Sequence, residues 1–206
     1  KSIVIKKVLQ NLYSDSFCKL KSVINGTGII LHTGLGRAPI DKGILLSAID
    51  RIYPYSNIEL DIESGKRGER NNIVNNMINS ITKAEASIVV NNNAAAVLLM
   101  LSAISNGKDV IVSRGQLVEI GGSFRIPDVI DKSGSNMVEV GTTNKTHIKD
   151  YENSISDKTG SILYAHTSNY RVIGFTKEVD IKEISNLAKR KKIPIMADIG
   201  SGALVD

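Results

Sequence analysis

Between residues 86 and 198 five short apolar runs recur: ASIVV (86–90), DVIVS (109–113), MVEVG (137–141), SILYA (161–165) and IPIMAD (193–198). Runs of four to six residues, apolar at successive positions, fit strands that are covered on both faces. Helical patterns lie between them, over 94–104 (AAAVLLMLSAI, ended by Asn106-Gly107) and 179–191, and two more precede them over 40–52 and 70–82. Strands alternating with helices build a mostly parallel sheet flanked by helices, so the expected class is α/β. Ahead of this core, residues 1–20 read as an amphipathic helix carrying Ile3, Val4, Val8, Leu9 and Leu12 among lysines. SVINGTGIILHTGLGRAPI (22–40) is glycine-rich and extended. No repeat or low-complexity tract interrupts the pattern. The last residues, SGALVD, fall just past a strand end, where a doubly wound domain is not expected to finish.

In open α/β sheets ligands gather beyond the carboxyl ends of the strands. Each unusual polar cluster of this chain falls there: NNN after 90, SRG after 113, GTTN after 140, HTSN after 165 and D-x-GSG from 198. Asn91, Asn92 and Asn93 precede three alanines that open a helix. Asparagine caps helix ends, and alanines leave the first turn without bulk, so this is either a generous N-cap or a seat for an anion. Asp198 closes an otherwise apolar strand. A carboxylate there needs a partner; it caps the following turn or accepts a charge-assisted hydrogen bond from a protonated heterocycle. His166, Thr167, Ser168 and Asn169 form a local polar turn or a set of donors and acceptors for a ring hydroxyl. Arg67 and Arg70 bracket a glycine in SGKRGER, and Arg37 stands in HTGLGRAP; both patterns suit phosphate or carboxylate binding as well as a solvated surface.

Composition excludes several classes. At 42% hydrophobic and 23% charged, the 206 residues can fill a core and do not read as disordered. The net charge of +5 is compatible with an RNA or phosphate partner without requiring one. A single cysteine, Cys18, permits no internal disulfide and fits a reducing cytoplasm. No stretch has the roughly 18 consecutive apolar residues of a membrane span. The dinucleotide fingerprint fails at Pro39, and no phosphate-loop lysine motif occurs. His32, His147 and His166 have no metal-ligand spacing with the carboxylates, so no metal is expected.

Taken together, NGTGIILHTGLGRAPI, IVVNNNAAAVLLML, VSRGQLVEIGGSFRIPDV, EVGTTNKTH, HTSNYRVIGFTK and ADIGSGALVD resemble the bacterial L-seryl-tRNA(Sec) selenium transferases, or selenocysteine synthases. The resemblance runs from 23 to 206. It implies the large domain of a fold-type-I pyridoxal 5'-phosphate enzyme, incomplete at both ends, with residues 1–22 resembling the end of an N-terminal helical region. It further implies conversion of seryl-tRNA(Sec) and selenophosphate to selenocysteinyl-tRNA(Sec), with loss of the α-proton and hydroxyl and addition of selenium at Cβ. Asn92, Asn93 and Ala94 are then expected at the cofactor phosphate, Asp198 at the ring nitrogen and Asn169 near the ring hydroxyl. His166 is expected against the ring or leaving group, and Arg67 and Arg70 at a phosphate, in the same or a neighbouring subunit. Arg37 corresponds to an arginine for the selenophosphate-derived anion, with Thr142 and Thr143 lining the same pocket. The family's cytoplasmic ring of homodimers is implied as well.

Two departures qualify the implication. The Gly-Asp-Lys stretch that carries the family's Schiff-base lysine does not occur in these 206 residues, so the chain by itself is expected to be inactive. Gln116 stands where the pattern has Glu. Two other functions stay open on sequence: a related lyase acting on a small amino acid or amino-sugar acid, and a non-catalytic phosphate- or RNA-binding remnant.

Overall fold

The structure is a computed structural model and describes residues 2–13, 20–120, 124–168, 170–200 and 202. Two compact units divide the chain, Lys1–Gly68 and Glu69–Asp206.

The first unit contains helix α1 (Ser2–Tyr13), a 3-10 turn at Thr33–Leu35 and helix α2 (Lys42–Ile52). Asp41 caps α2, its carboxylate accepting from the Gly43 and Ile44 amides at 2.9 and 3.1 Å. None of its described residues is buried within the unit. Cys18 lies outside the described residues.

The second unit begins with α3 (Arg70–Thr82) and α4 (Asn93–Ser105), then β1 (Asp109–Ser113), a short β2–β3 pairing (Glu119–Ile120 with Phe124–Arg125) and α5 (Ile126–Lys132). It continues with β4 (Asn136–Val140), α6 (Ile148–Ser154), β5 (Thr159–Ala165), α7 (Ile181–Lys191) and β6 (Ile195–Asp198). The strands β4-β1-β5-β6 form one sheet in that order, every pair parallel.

The apolar runs explain why. Alternate residues of β1 face opposite ways: Val110 and Val112 join Val97 and Leu101 of α4 and Ile126 and Ile130 of α5 in one core. Ile111 instead joins Tyr151 of α6 and Ile184, Leu187 and Ala188 of α7 in the other. Both faces are therefore covered, which is what uninterrupted apolar runs require. The nearly all-apolar α4 buries Val97, Leu101 and Ser105, one stripe at four-residue spacing. Ser105 is satisfied by the Ser161 hydroxyl at 2.6 Å.

One expected strand does not form. Residues 86–90 join no ladder, and Ile88 and Val89 remain 60% and 54% exposed. An apolar run becomes a strand only where a neighbour supplies backbone partners, and among the described residues none does so here. The other expected strands and the helices expected over 40–52, 70–82, 94–104 and 179–191 lie within two residues of their expected bounds, whereas the helix expected over 1–20 is described as Ser2–Tyr13. The short helices α5 and α6 have too few turns to show a period, and sequence reading passed over them.

Candidate functional site

Chain order and sheet order diverge at β1: the path leaves it for β4 on one side and returns to β5 on the other. Connections that part in this way open a crevice at the strands' carboxyl ends. Two groups of residues meet there.

The first is built on α4 and β6. Asn92 is the N-cap of α4, its side-chain oxygen accepting from the Ala95 amide at 2.9 Å. The Ala96 amide bonds the Asn92 carbonyl. The Asn93 and Ala94 amides have no acceptor among the described residues, so two N–H groups project from the positive end of a 13-residue helix. The Asn93 side chain turns elsewhere: its Nδ2 donates to Asp198 Oδ1 at 2.8 Å. The Gly200 amide donates to the same oxygen at 3.0 Å, with Gly200 in the left-handed region at φ +65°. Asp198 is 8% exposed, and its Oδ2 has no described partner. The helix terminus and the carboxylate, 105 residues apart in sequence, are thus joined by one side chain.

The second group lines a cavity of about 1150 Å³. Thr142, Thr143 and His166 all face it, with Gly115 and Gln116 on one wall. The His166 amide donates to the Asp198 carbonyl at 2.8 Å, which ties this wall to the first group. β5 and β6 are neighbours in register, Ala165 opposite Asp198, which brings HTSN and Asp198 to adjacent strand ends. Asn93 and Asp198 do not line the cavity.

Gln116 was marked in the sequence only as a departure, yet it organises this wall. β1 ends at Ser113 and turns into a 3-10 turn, Arg114–Gln116, so the next amides of β5 lose their backbone partners. The buried Gln116 side chain replaces one, accepting from the Ala165 amide at 3.2 Å while its Nε2 donates to Glu178 at 2.9 Å. The Tyr170 hydroxyl donates to the Gly115 carbonyl. Burial, and secondarily the Glu178 charge, push the Tyr164 and Tyr170 phenols above their ordinary values, so both are neutral donors at neutral pH. A buried amide side chain directly after a strand end was the available signal.

The remaining expected residues are distributed as follows. Arg37 and Arg67 belong to the first unit. Arg37 has a positive φ of 66° after Gly36, and Arg67 pairs with Glu59 at 2.7 Å. Arg70 opens α3 in the second unit. Asn169 lies outside the described residues. No group of three or more potential metal ligands occurs among the described residues.

A family model described as SelA, L-seryl-tRNA selenium transferase, matches residues 23–206. The chain belongs to that family. L-seryl-tRNA(Sec) selenium transferase of Alkaliphilus oremlandii is 51% identical over 203 residues, 98% of this chain and 44% of that protein. The protein of the same name from Clostridium botulinum is 50% identical over 206 residues, all of this chain and 45% of that protein. The chain therefore spans less than half the length of the selenium transferases it matches. Among solved structures, D-glucosaminate-6-phosphate ammonia-lyase superposes with a TM-score of 0.72 at 19% identity, over 91% of this chain and 51% of that one. That likeness is one of fold, and the fold is the expected one, the large domain of fold-type-I pyridoxal phosphate enzymes.

Proposed function

We propose that this chain supplies the cofactor and substrate sites of an L-seryl-tRNA(Sec) selenium transferase, a cytoplasmic homo-oligomer that uses pyridoxal 5'-phosphate and takes selenium from selenophosphate. Close identity to proteins of that name supports the reading. Among the described residues no helix is long and apolar enough to cross a membrane. The observation that carries it is the juxtaposition of two helix-end amides with a carboxylate whose outer oxygen, like those amides, has no partner among the described residues.

That donor and acceptor set fits the cofactor. Pyridoxal phosphate carries a phosphate at one edge and a protonatable nitrogen at the other. The Asn93 and Ala94 amides would hold the phosphate, with the alanine side chains leaving its approach open. Asp198 Oδ2 would accept from the ring nitrogen, favouring its protonated form. Bound there, the cofactor supplies an electron sink that stabilises negative charge at the substrate Cα. Asn93 and the Gly200 amide hold Asp198 Oδ1, which fixes the direction in which Oδ2 points. The Asp198 carbonyl fixes the backbone at His166, and His166, Thr142 and Thr143 present their side chains to the cavity in which a seryl group would be held. His166 is assigned to the ring or to proton transfer at the leaving hydroxyl. Arg37, Arg67 and Arg70 are assigned to anionic groups of the substrates or cofactor, and Asn169 to the ring hydroxyl. Residues 23–206 are assigned to the cofactor-binding domain and 1–22 to the preceding helical region.

The test uses the protein at the length of its relatives, seryl-tRNA(Sec), pyridoxal phosphate and selenophosphate, with selenocysteinyl-tRNA(Sec) as the product measured. The account expects formation of that product. It also expects a loss of about 100-fold or more in Asp198→Ala, the equivalent of roughly 3 kcal/mol for a lost charge-assisted contact. Absence of selenated product, or wild-type turnover by the variant, contradicts it.

A further inference from the structure

Next in sequence to residues that line the cavity, an exposed aromatic ring lies near a lysine of that lining. Phe175 is 88% exposed and Ile173 92% exposed. Lys145, Arg171 and Lys177 line the same cavity, and no described carboxylate pairs with any of them. The acid of that lining, Glu178, is bonded to Gln116. Lys145 Nζ lies 6.0 Å from the centre of the Phe175 ring, at the outer limit of a cation–π contact.

This segment is a built surface. The Asn144 side chain donates to the Phe175 carbonyl at 2.6 Å, the Lys177 amide to the Asn144 carbonyl at 2.9 Å and the Thr146 amide to the Lys177 carbonyl at 2.9 Å. Lys145 and Lys177 form a parallel bridge, so their positions are tied together. The Thr176 amide bonds the Gly174 carbonyl at 3.0 Å across Phe175, a tight turn that Gly174 permits at φ +117°. The backbone is thereby committed to presenting an aromatic face to solvent.

An exposed ring beside cations that have no carboxylate partner among the described residues has the chemistry of single-stranded nucleic-acid binding: bases stack on the ring and the cations follow the phosphates. We infer that the loop Tyr170–Glu178, with Lys145, is a platform for the single-stranded end of an RNA, where Phe175 stacks on a base and Lys145, Arg171 and Lys177 contact the flanking phosphates. The inference rests on the tRNA reading above and extends it, because a strand end bound here would place its esterified terminus at the cavity mouth. Charge selects this occupant over an apolar protein face, which would leave three cations unpaired at the contact.

The test measures fluorescence anisotropy of a labelled short single-stranded RNA, a blunt RNA duplex and whole tRNA(Sec), with wild-type protein, Phe175→Leu and the pair Lys145→Gln/Lys177→Gln. Leucine keeps the site apolar without a stacking face, and at so exposed a position the fold does not depend on the ring. Phe175→Leu is expected to weaken the single strand by about five- to 100-fold and to leave the duplex unchanged. The paired lysine variant should lower the salt slope by about 0.7 per lost phosphate contact. No single-strand binding by wild type, or unchanged affinity in Phe175→Leu, overturns the platform. A changed sedimentation mass with unchanged RNA affinity also overturns it and assigns the face to protein. Whole tRNA bound equally by wild type and Phe175→Leu removes the platform but keeps the substrate reading. Single strand bound through Phe175 without any tRNA binding removes the substrate reading but keeps the platform.

Discussion

Replacing Gln116 by Leu tests whether one side chain closes the gap where β1 leaves the sheet. The two residues are similar in volume, so packing is largely conserved. What disappears is the acceptor for the amide of Ala165, a residue 2% exposed that lies past the last β1–β5 register pair. An unsatisfied buried donor costs about 1–3 kcal/mol. The lost donor to Glu178 adds less, up to about 1 kcal/mol, because Glu178 is exposed and water replaces the bond. The expected destabilisation is about 1–4 kcal/mol, read as a lower urea midpoint at unchanged slope. Gln116→Glu keeps the acceptor for Ala165 but brings a second carboxylate against Glu178. The pair then binds a proton more tightly folded than unfolded, so stability should fall as pH rises above the ordinary carboxylate range. A Leu variant as stable as wild type, or a Glu variant whose stability difference from wild type ignores pH, refutes the reasoning.

Three further outcomes follow from the core. Burial pushes the Tyr151 phenol up to about 12, so the folded state keeps its proton after the unfolded chain has lost it. Stability should therefore decline between about pH 10 and 12 by roughly 2–3 kcal/mol, and Tyr151→Phe should abolish that part of the decline in alkaline unfolding curves. Gly141 has a φ of +71°, and a Cβ there would collide with Thr146 Oγ1, so Gly141→Ala should cost more than about 1 kcal/mol by chemical denaturation. Leu101, fully buried between α4 and the sheet, should cost about 2–5 kcal/mol when truncated to Ala, seen as a lower thermal midpoint.

The sheet was legible because its strands are covered on both faces, and DVIVS and SILYA have no other use for uninterrupted apolar runs. ASIVV carries the same pattern without forming a ladder. Composition records the burial a segment is suited to, while the neighbour that supplies its hydrogen bonds lies elsewhere. The strand-end clusters were legible as positions: Asp198 closes β6, and His166, Thr142 and Thr143 line the cavity beyond the strand ends. The division of labour among the asparagines was not readable: Asn92 caps the helix, and Asn93 reaches a carboxylate 105 positions away. Only the sheet order makes that second contact. The function of Gln116 was hidden for the same reason, since its partners Ala165 and Glu178 are brought to it by β5.

The most direct measurement is a crystal structure of the protein soaked with pyridoxal 5'-phosphate. The account predicts phosphate oxygens within hydrogen-bond reach of the Asn93 and Ala94 amides and the ring nitrogen against Asp198 Oδ2. Phosphate bound away from the start of α4, or a ring nitrogen with no contact to Asp198, would contradict it.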